Sequence, residues 1–231
     1  MRLFIGNKNY SSWSMRPWVL MRQAGIAFDE EMVRFDSFDS DSQFKRRLAG
    51  LSPTAKVPVL ATETGGRKQI IWDTLAIAEY LAESFPDRGL WPADAGARAH
   101  ARSITAEMHS GFQALRSCFP MNIEASLPEV GARLLAERPD TAADLARVDA
   151  LWSACLAGSG GPFLFGEFGI ADAFYAPVVM RIRTYGLALG EAGASYANRV
   201  TAAAGVAEWI AQALAEKDFL PFEEPYRRSP A

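Results

Sequence analysis

The chain has 231 residues, 49% hydrophobic and 22% charged, with 24 basic against 27 acidic side chains and a formal net charge of −3. That length suffices for one large or two smaller domains, and the composition is globular rather than disordered or fibrous. Nucleic-acid binding needs clustered Lys and Arg to displace counterions, and the short cluster Lys45, Arg46, Arg47 reads instead as a solvated helix face. Cys118 and Cys155 lie far apart without a CxxC, and the chain has two His; neither a metal site nor a disulfide framework is expected, which suits a reducing cytosol. The N-terminus lacks a signal-peptide apolar region, and no apolar run is long enough to span a bilayer. A cytoplasmic protein with no membrane and no nucleic-acid partner is the expectation.

In chain order, Leu3-Phe4-Ile5 is a short apolar run closed by Gly6-Asn7 and predicts a buried strand. Ser14 to Ala24 predicts a helix with Met15, Trp18, Val19 and Arg22 on one side and Gly25 as its stop. Phe28 to Phe35 reads as a second strand and Asp41 to Ala49 as a polar helix. Val57 to Thr62 and Gln69 to Trp72 flank the hairpin signal Glu63-Thr64-Gly65-Gly66-Arg67. Thr74, Ile77, Ala78, Leu81 and Phe85 then keep the rhythm of an amphipathic helix. The order is βαβαββα, that of a thioredoxin-like domain over residues 1–85, with a parallel first pair of strands and an antiparallel second pair.

Pro86 ends that helix, and residues 86–95 read as a linker. Residues 96–231 change character: Ala-rich segments at Ala97–Leu115, Ala132–Leu156, Ile170–Leu187 and Val200–Glu216 predict an all-α domain. The fold class expected is therefore α/β followed by all-α.

Three segments of the first half carry chemistry. In Tyr10-Ser11-Ser12-Trp13-Ser14-Met15-Arg16-Pro17, a serine can cap the first helix. The same helix N-terminus offers N–H donors and partial positive charge to an anion such as a thiolate, and a serine hydroxyl adds one more donor. In Lys56-Val57-Pro58-Val59-Leu60, a cis Val57-Pro58 bond would turn the backbone groups of Val57 outward to pair with an extended peptide. In Trp72-Asp73-Thr74, a carboxylate and a hydroxyl at a helix start suit either a plain cap or an α-amino acid head group.

Taken together, these segments and Asp73-Thr74-Leu75-Ala76-Ile77-Ala78-Glu79-Tyr80-Leu81 resemble the N-terminal domain of glutathione transferases in order and spacing. The likeness continues into Phe163-Leu164-Phe165-Gly166 and Gly169-Ile170-Ala171-Asp172-Ala173, which resemble the start of the family's buried helix, with Asp172 as half of a capping box. The Ser-Ser-x-Ser pattern resembles the zeta class, which includes maleylacetoacetate isomerases; Trp13 stands where that class carries Cys, and Trp18 replaces a basic residue. The resemblance implies a glutathione S-transferase, a homodimer with glutathione as co-substrate. It places Ser11, with Ser12 as its neighbour and substitute, at the thiol. Val57 and Pro58 fall at the cysteinyl unit, Asp73 and Thr74 at the γ-glutamyl group and Lys56 near the glycyl end. Met108, Phe112 and Arg116, spaced i, i+4, i+8, would form one stripe of a pocket for a small apolar electrophile. His109 reads as structural or exposed. A glutathione-dependent isomerase and a non-catalytic binding protein are the alternatives. With no Cys before position 118, thiol–disulfide exchange at the first helix is disfavoured.

Overall fold

The computed structural model describes residues 1–230. Its first half holds β1 (Arg2–Ile5), α1 (Ser12–Gln23), β2 (Asp29–Met32), α2 (Gln43–Ala49), β3 (Val59–Thr64), β4 (Arg67–Trp72) and α3 (Thr74–Ser84). The sheet order is β2-β1-β3-β4; β2 runs parallel to β1, whereas β3 is antiparallel to both β1 and β4. This is the thioredoxin-like arrangement expected from the sequence. Alternation along β1 sends Leu3 and Ile5 into the main core under α1 and α3. Phe4 points to the other face, where it joins Tyr10, Val33, Phe35, Phe44, Leu48 and Val59. β2 is shorter than the expected Phe28–Phe35 and carries Asp29, Glu30 and Glu31. Such a charged edge resists pairing with a foreign strand.

After a 3₁₀ turn at Pro86–Arg88, the second half is helical: α4 (Ala95–Ser110), α5 (Gln113–Cys118), α6 (Pro128–Glu137), α7 (Pro139–Ser159), α8 (Ile170–Tyr185), α9 (Glu191–Ala202) and α10 (Ala204–Glu216). Three of the four expected long segments are therefore broken. The first stops at Gly111 because Phe112 adopts a left-handed conformation (φ +56°) and restarts the chain in a new direction as α5. The second splits at Arg138-Pro139, where proline cannot continue the preceding helix but starts the next. The third element, α8, is buried along almost its whole length, as expected of a helix that is apolar all round. The last splits at Ala203, so that Val200 falls in the final turn of α9.

The two halves share one core. Helix α1 packs against both α8 and α10, and Trp18 of α1 meets Trp209 of α10 edge to face with ring centroids 5.2 Å apart. At the start of α8, Asp172 accepts from the N–H groups of Gly169 (2.9 Å) and Leu164 (3.1 Å) and from the Tyr196 hydroxyl (2.8 Å). Burial still outweighs these bonds and pushes its carboxyl up to about 6. Both cysteines are buried and free. No helix among the described residues is long and apolar enough to cross a membrane.

Candidate functional site

The loop after β1 delivers Ser11 as the N-cap of α1. Gly6 permits its path, since a Cβ there would lie 2.3 Å from the Phe35 ring. The Ser11 hydroxyl donates to Ser14 Oγ at 2.7 Å, and Ser14 Oγ in turn accepts from the Gly6 N–H at 3.0 Å. Ser12 opens α1, is half-buried, and its hydroxyl makes no hydrogen bond among the described residues. Both serines line a cavity of about 660 Å³, at the helix end where first-turn N–H groups and the macrodipole favour negative charge. Tyr10 lines the same cavity, but its hydroxyl is engaged by Glu224 Oε1 at 2.7 Å. Burial and that bond push the phenol up to about 12.

A second cleft of about 290 Å³ adjoins the first, sharing Trp13, Lys56 and Val57 with it and adding Pro58, Asp73 and Thr74. The Val57-Pro58 bond is cis, and Val57 stands just ahead of the β3 ladder, whose register begins at Val59. Asp73 caps α3 through Oδ1, which accepts from the Leu75 N–H at 2.8 Å. Its φ of +75° is unusual for a non-glycine; such conformations cost on the order of 1–3 kcal/mol and persist where the surroundings over-determine them. The other oxygen, Oδ2, lies 3.4 Å from His109 Nε2, and Thr74 Oγ1 lies 3.5 Å from His109 Nδ1. His109, on α4, also meets the Trp13 ring edge to face at 5.3 Å. Burial holds its imidazole below the usual histidine value; Asp73 works in the opposite direction, while Arg16 and Arg116 reinforce the lowering.

The residues expected around the thiol and the peptide thus meet in two joined clefts. Ser11, Ser12, Lys56, Val57 and Arg116 line the first; Lys56, Val57, Pro58, Asp73 and Thr74 line the second. Met108 and Phe112 line neither. Met108 is fully buried and Phe112 nearly so, both in the main core. The turn at Gly111-Phe112 carries Arg116 onto α5, away from the stripe that a single helix would have made. His109, expected as structural or exposed, bridges α4 to the start of α3. Lys45, expected on a solvated face, lines the first cavity and donates to the Ala55 carbonyl at 3.0 Å. Arg181 and Glu223 also line that cavity, and no local pattern marks them because they reach it from α8 and from the C-terminal segment. Among the described residues, no group of three or more His, Cys, Asp or Glu is placed to hold a metal ion.

The glutathione S-transferase N-terminal domain family matches residues 10–84, and the glutathione S-transferase C-terminal domain family matches residues 124–212. A probable maleylacetoacetate isomerase of Caenorhabditis elegans is 35% identical over 107 residues, which are 46% of this chain and 46% of that one; the match spans less than half the length of that relative. The crystal structure of a maleylacetoacetate isomerase from Anaeromyxobacter dehalogenans, with glutathione bound in its active site, is 25% identical. It superposes over 90% of this chain and 93% of its own with a TM-score of 0.63. A glutathione transferase from Methylococcus capsulatus, 22% identical, shares the fold with a TM-score of 0.66 over 92% of this chain and 98% of its own. With domain families matched in sequence order on both halves and the whole fold shared, the chain belongs to the glutathione S-transferase family.

Proposed function

We propose that the protein binds glutathione across the two joined clefts and uses it as co-substrate in a transferase reaction. The observation that carries this is the junction of the clefts at Trp13, Lys56 and Val57, with serines on one side and the Asp73–Thr74 helix start on the other. The Asp73 carboxylate faces the γ-glutamyl ammonium, and the N–H groups of the α3 start take its carboxylate. The backbone of Val57 pairs with the cysteinyl unit, and Lys56 lies toward the glycyl carboxylate. The sulfur then reaches the start of α1. Ser14 carries a rotatable hydroxyl proton; when it donates to Ser11 Oγ, the Ser11 proton turns toward the cavity and the sulfur. One such bond to a charged acceptor contributes about 1.5–3 kcal/mol, enough to lower the thiol pKa by roughly one to two units. The thiolate forms an S–C bond to an electrophilic carbon, and the displaced electron pair leaves on a halide or passes into a conjugated acceptor that takes a proton from water.

Ultraviolet titration of the bound thiolate, together with retention on immobilised glutathione, tests this reading. Wild-type protein is expected to be retained and to hold the thiol below its free pKa; no retention and no conjugation of an aryl chloride would overturn it. Isomerisation through a reversible thiolate addition is the second reading, favoured by the similarity to isomerases in sequence and structure. Turnover of a cis-configured conjugated diketo acid separates it from conjugation. The serine corner and the Asp73–Thr74 pair tell against a non-catalytic binding role.

A further inference from the structure

Three guanidinium groups surround the wall of the larger cavity without a carboxylate partner. Arg116 and Arg181 line it directly. Arg116 donates to the carbonyls of His109 and Gly111, both at 3.2 Å, and lies 4.9 Å from the Trp13 ring. Arg181 is buried and donates to the carbonyls of Phe119 (2.7 Å) and Pro177 (3.1 Å). Arg16 stands behind Trp13, 1% exposed, held between the rings of Trp13 (4.2 Å) and Phe174 (5.0 Å), with Nε and Nη1 unpartnered. The contrast with Arg102, Arg147 and Arg227, each paired with a glutamate, is plain. The acid that shares the cavity, Glu223, hydrogen-bonds none of the three, and burial beside Glu224 pushes its carboxyl up to about 7.

Like charges gathered at low dielectric destabilise one another. Burial lowers the affinity of Arg16 for its proton, and the charges of Arg116 and Arg181 lower it further, with Asp73 opposing them. An anion in the cavity offsets that repulsion and gives Arg116 and Arg181, which now donate only to backbone carbonyls, a charged acceptor. Glutathione's own carboxylates do not fill the role in the binding mode above. The γ-glutamyl end takes the Asp73–Thr74 cleft, which neither Arg116 nor Arg181 lines, and the glycyl carboxylate takes Lys56, which lines both clefts and meets it with a charge of its own.

Resting on that glutathione reading, we propose that the electrophile carries a carboxylate, seated on Arg116 and Arg181, with Arg16 adding its field from behind Trp13. The cavity selects an anionic acceptor in place of the apolar one that the sequence suggests.

Calorimetric binding of two S-benzyl glutathiones tests this, one with a 4-carboxylate and one with a 4-methyl group on the ring. Wild-type protein is expected to bind the carboxylate at least about tenfold more tightly, and the ratio is expected to shrink as salt rises. Arg116→Gln and Arg181→Gln are each expected to bring the ratio toward one, and Arg181→Lys to retain most of it. Arg116 is half-exposed, so its variant stays informative should Arg181→Gln fail to fold. Equal affinities in wild type, or a preference that survives both substitutions, would overturn the proposal while leaving the glutathione site intact. Binding of neither analogue would instead defeat the glutathione reading itself.

Discussion

His109 is a gauge of the charges around the site. Three groups act on its proton besides burial: Asp73, which favours the imidazolium, and Arg16 and Arg116, which oppose it. In a proton NMR titration it is expected to titrate below the usual value, lower again in Asp73→Asn and higher in Arg116→Gln. Because the fold favours neutral imidazole, the unfolded chain takes up the proton first as pH falls below about 6.5. The stability contributed by this residue is therefore full above that value and lost between it and the lower folded value. A shift in the same direction for both variants would contradict the placement. At the serine corner, Ser11→Ala removes the cap and the proposed donor together: kcat/KM is expected to fall about 10- to 100-fold, and stability by about 1 kcal/mol. Ser12→Ala separates the two, since it leaves the cap in place; if it alone abolishes thiol activation, the donor is Ser12.

Among the elements, α8 depends most on a single side chain. Asp172 joins the loop before α8, the first turn of the helix and Tyr196 of α9. Asp172→Ala leaves two N–H groups and a hydroxyl without an acceptor in the interior and is expected to cost about 3–5 kcal/mol, read by chemical denaturation. This role was legible in the sequence, because a half capping box is local chemistry. The three segments that meet at the joined clefts were legible for the same reason, each being a short run whose spacing sets its own turn or cap. The helix boundaries were less so. Pro139 was a readable stop signal within an Ala-rich stretch, whereas nothing in the composition of Gly111-Phe112 marks a phenylalanine for a left-handed conformation. That one turn separates Arg116 from Met108 and decides which of the two reaches the cavity.

At the scale of the whole molecule, the cavity's charge could not be read along the chain, since Arg16, Arg116 and Arg181 come from α1, α5 and α8. The same holds for the C-terminal segment. Glu224 accepts from Tyr10, Asn122 and Arg227, and Arg227 also reaches Glu124, so residues 102 to 214 positions away along the chain close over the start of α1. Burial works against the Glu224 carboxylate, yet the Arg227 and Tyr10 bonds hold it below the usual carboxylate range. Its contribution is thus present above the unfolded value and lost as pH falls through the folded one. Glu224→Ala is expected to destabilise by about 3 kcal/mol or more and to loosen Tyr10, which limited proteolysis of the C-terminal segment would detect.

The Trp18–Trp209 contact has a further consequence for how the molecule melts. Helix α1 supplies a wall of the larger cavity, where glutathione is proposed to bind, and at the same time a central layer of the helical half, with the Trp209 indole donating to the Lys8 carbonyl at 3.1 Å. A ligand that binds only the folded α1 terminus therefore raises the free energy of unfolding of the entire chain. Calorimetry is expected to show one endotherm that moves upward with glutathione concentration as a unit, and the first half expressed alone, stripped of its partner for Trp18, is expected to have no melting transition of its own.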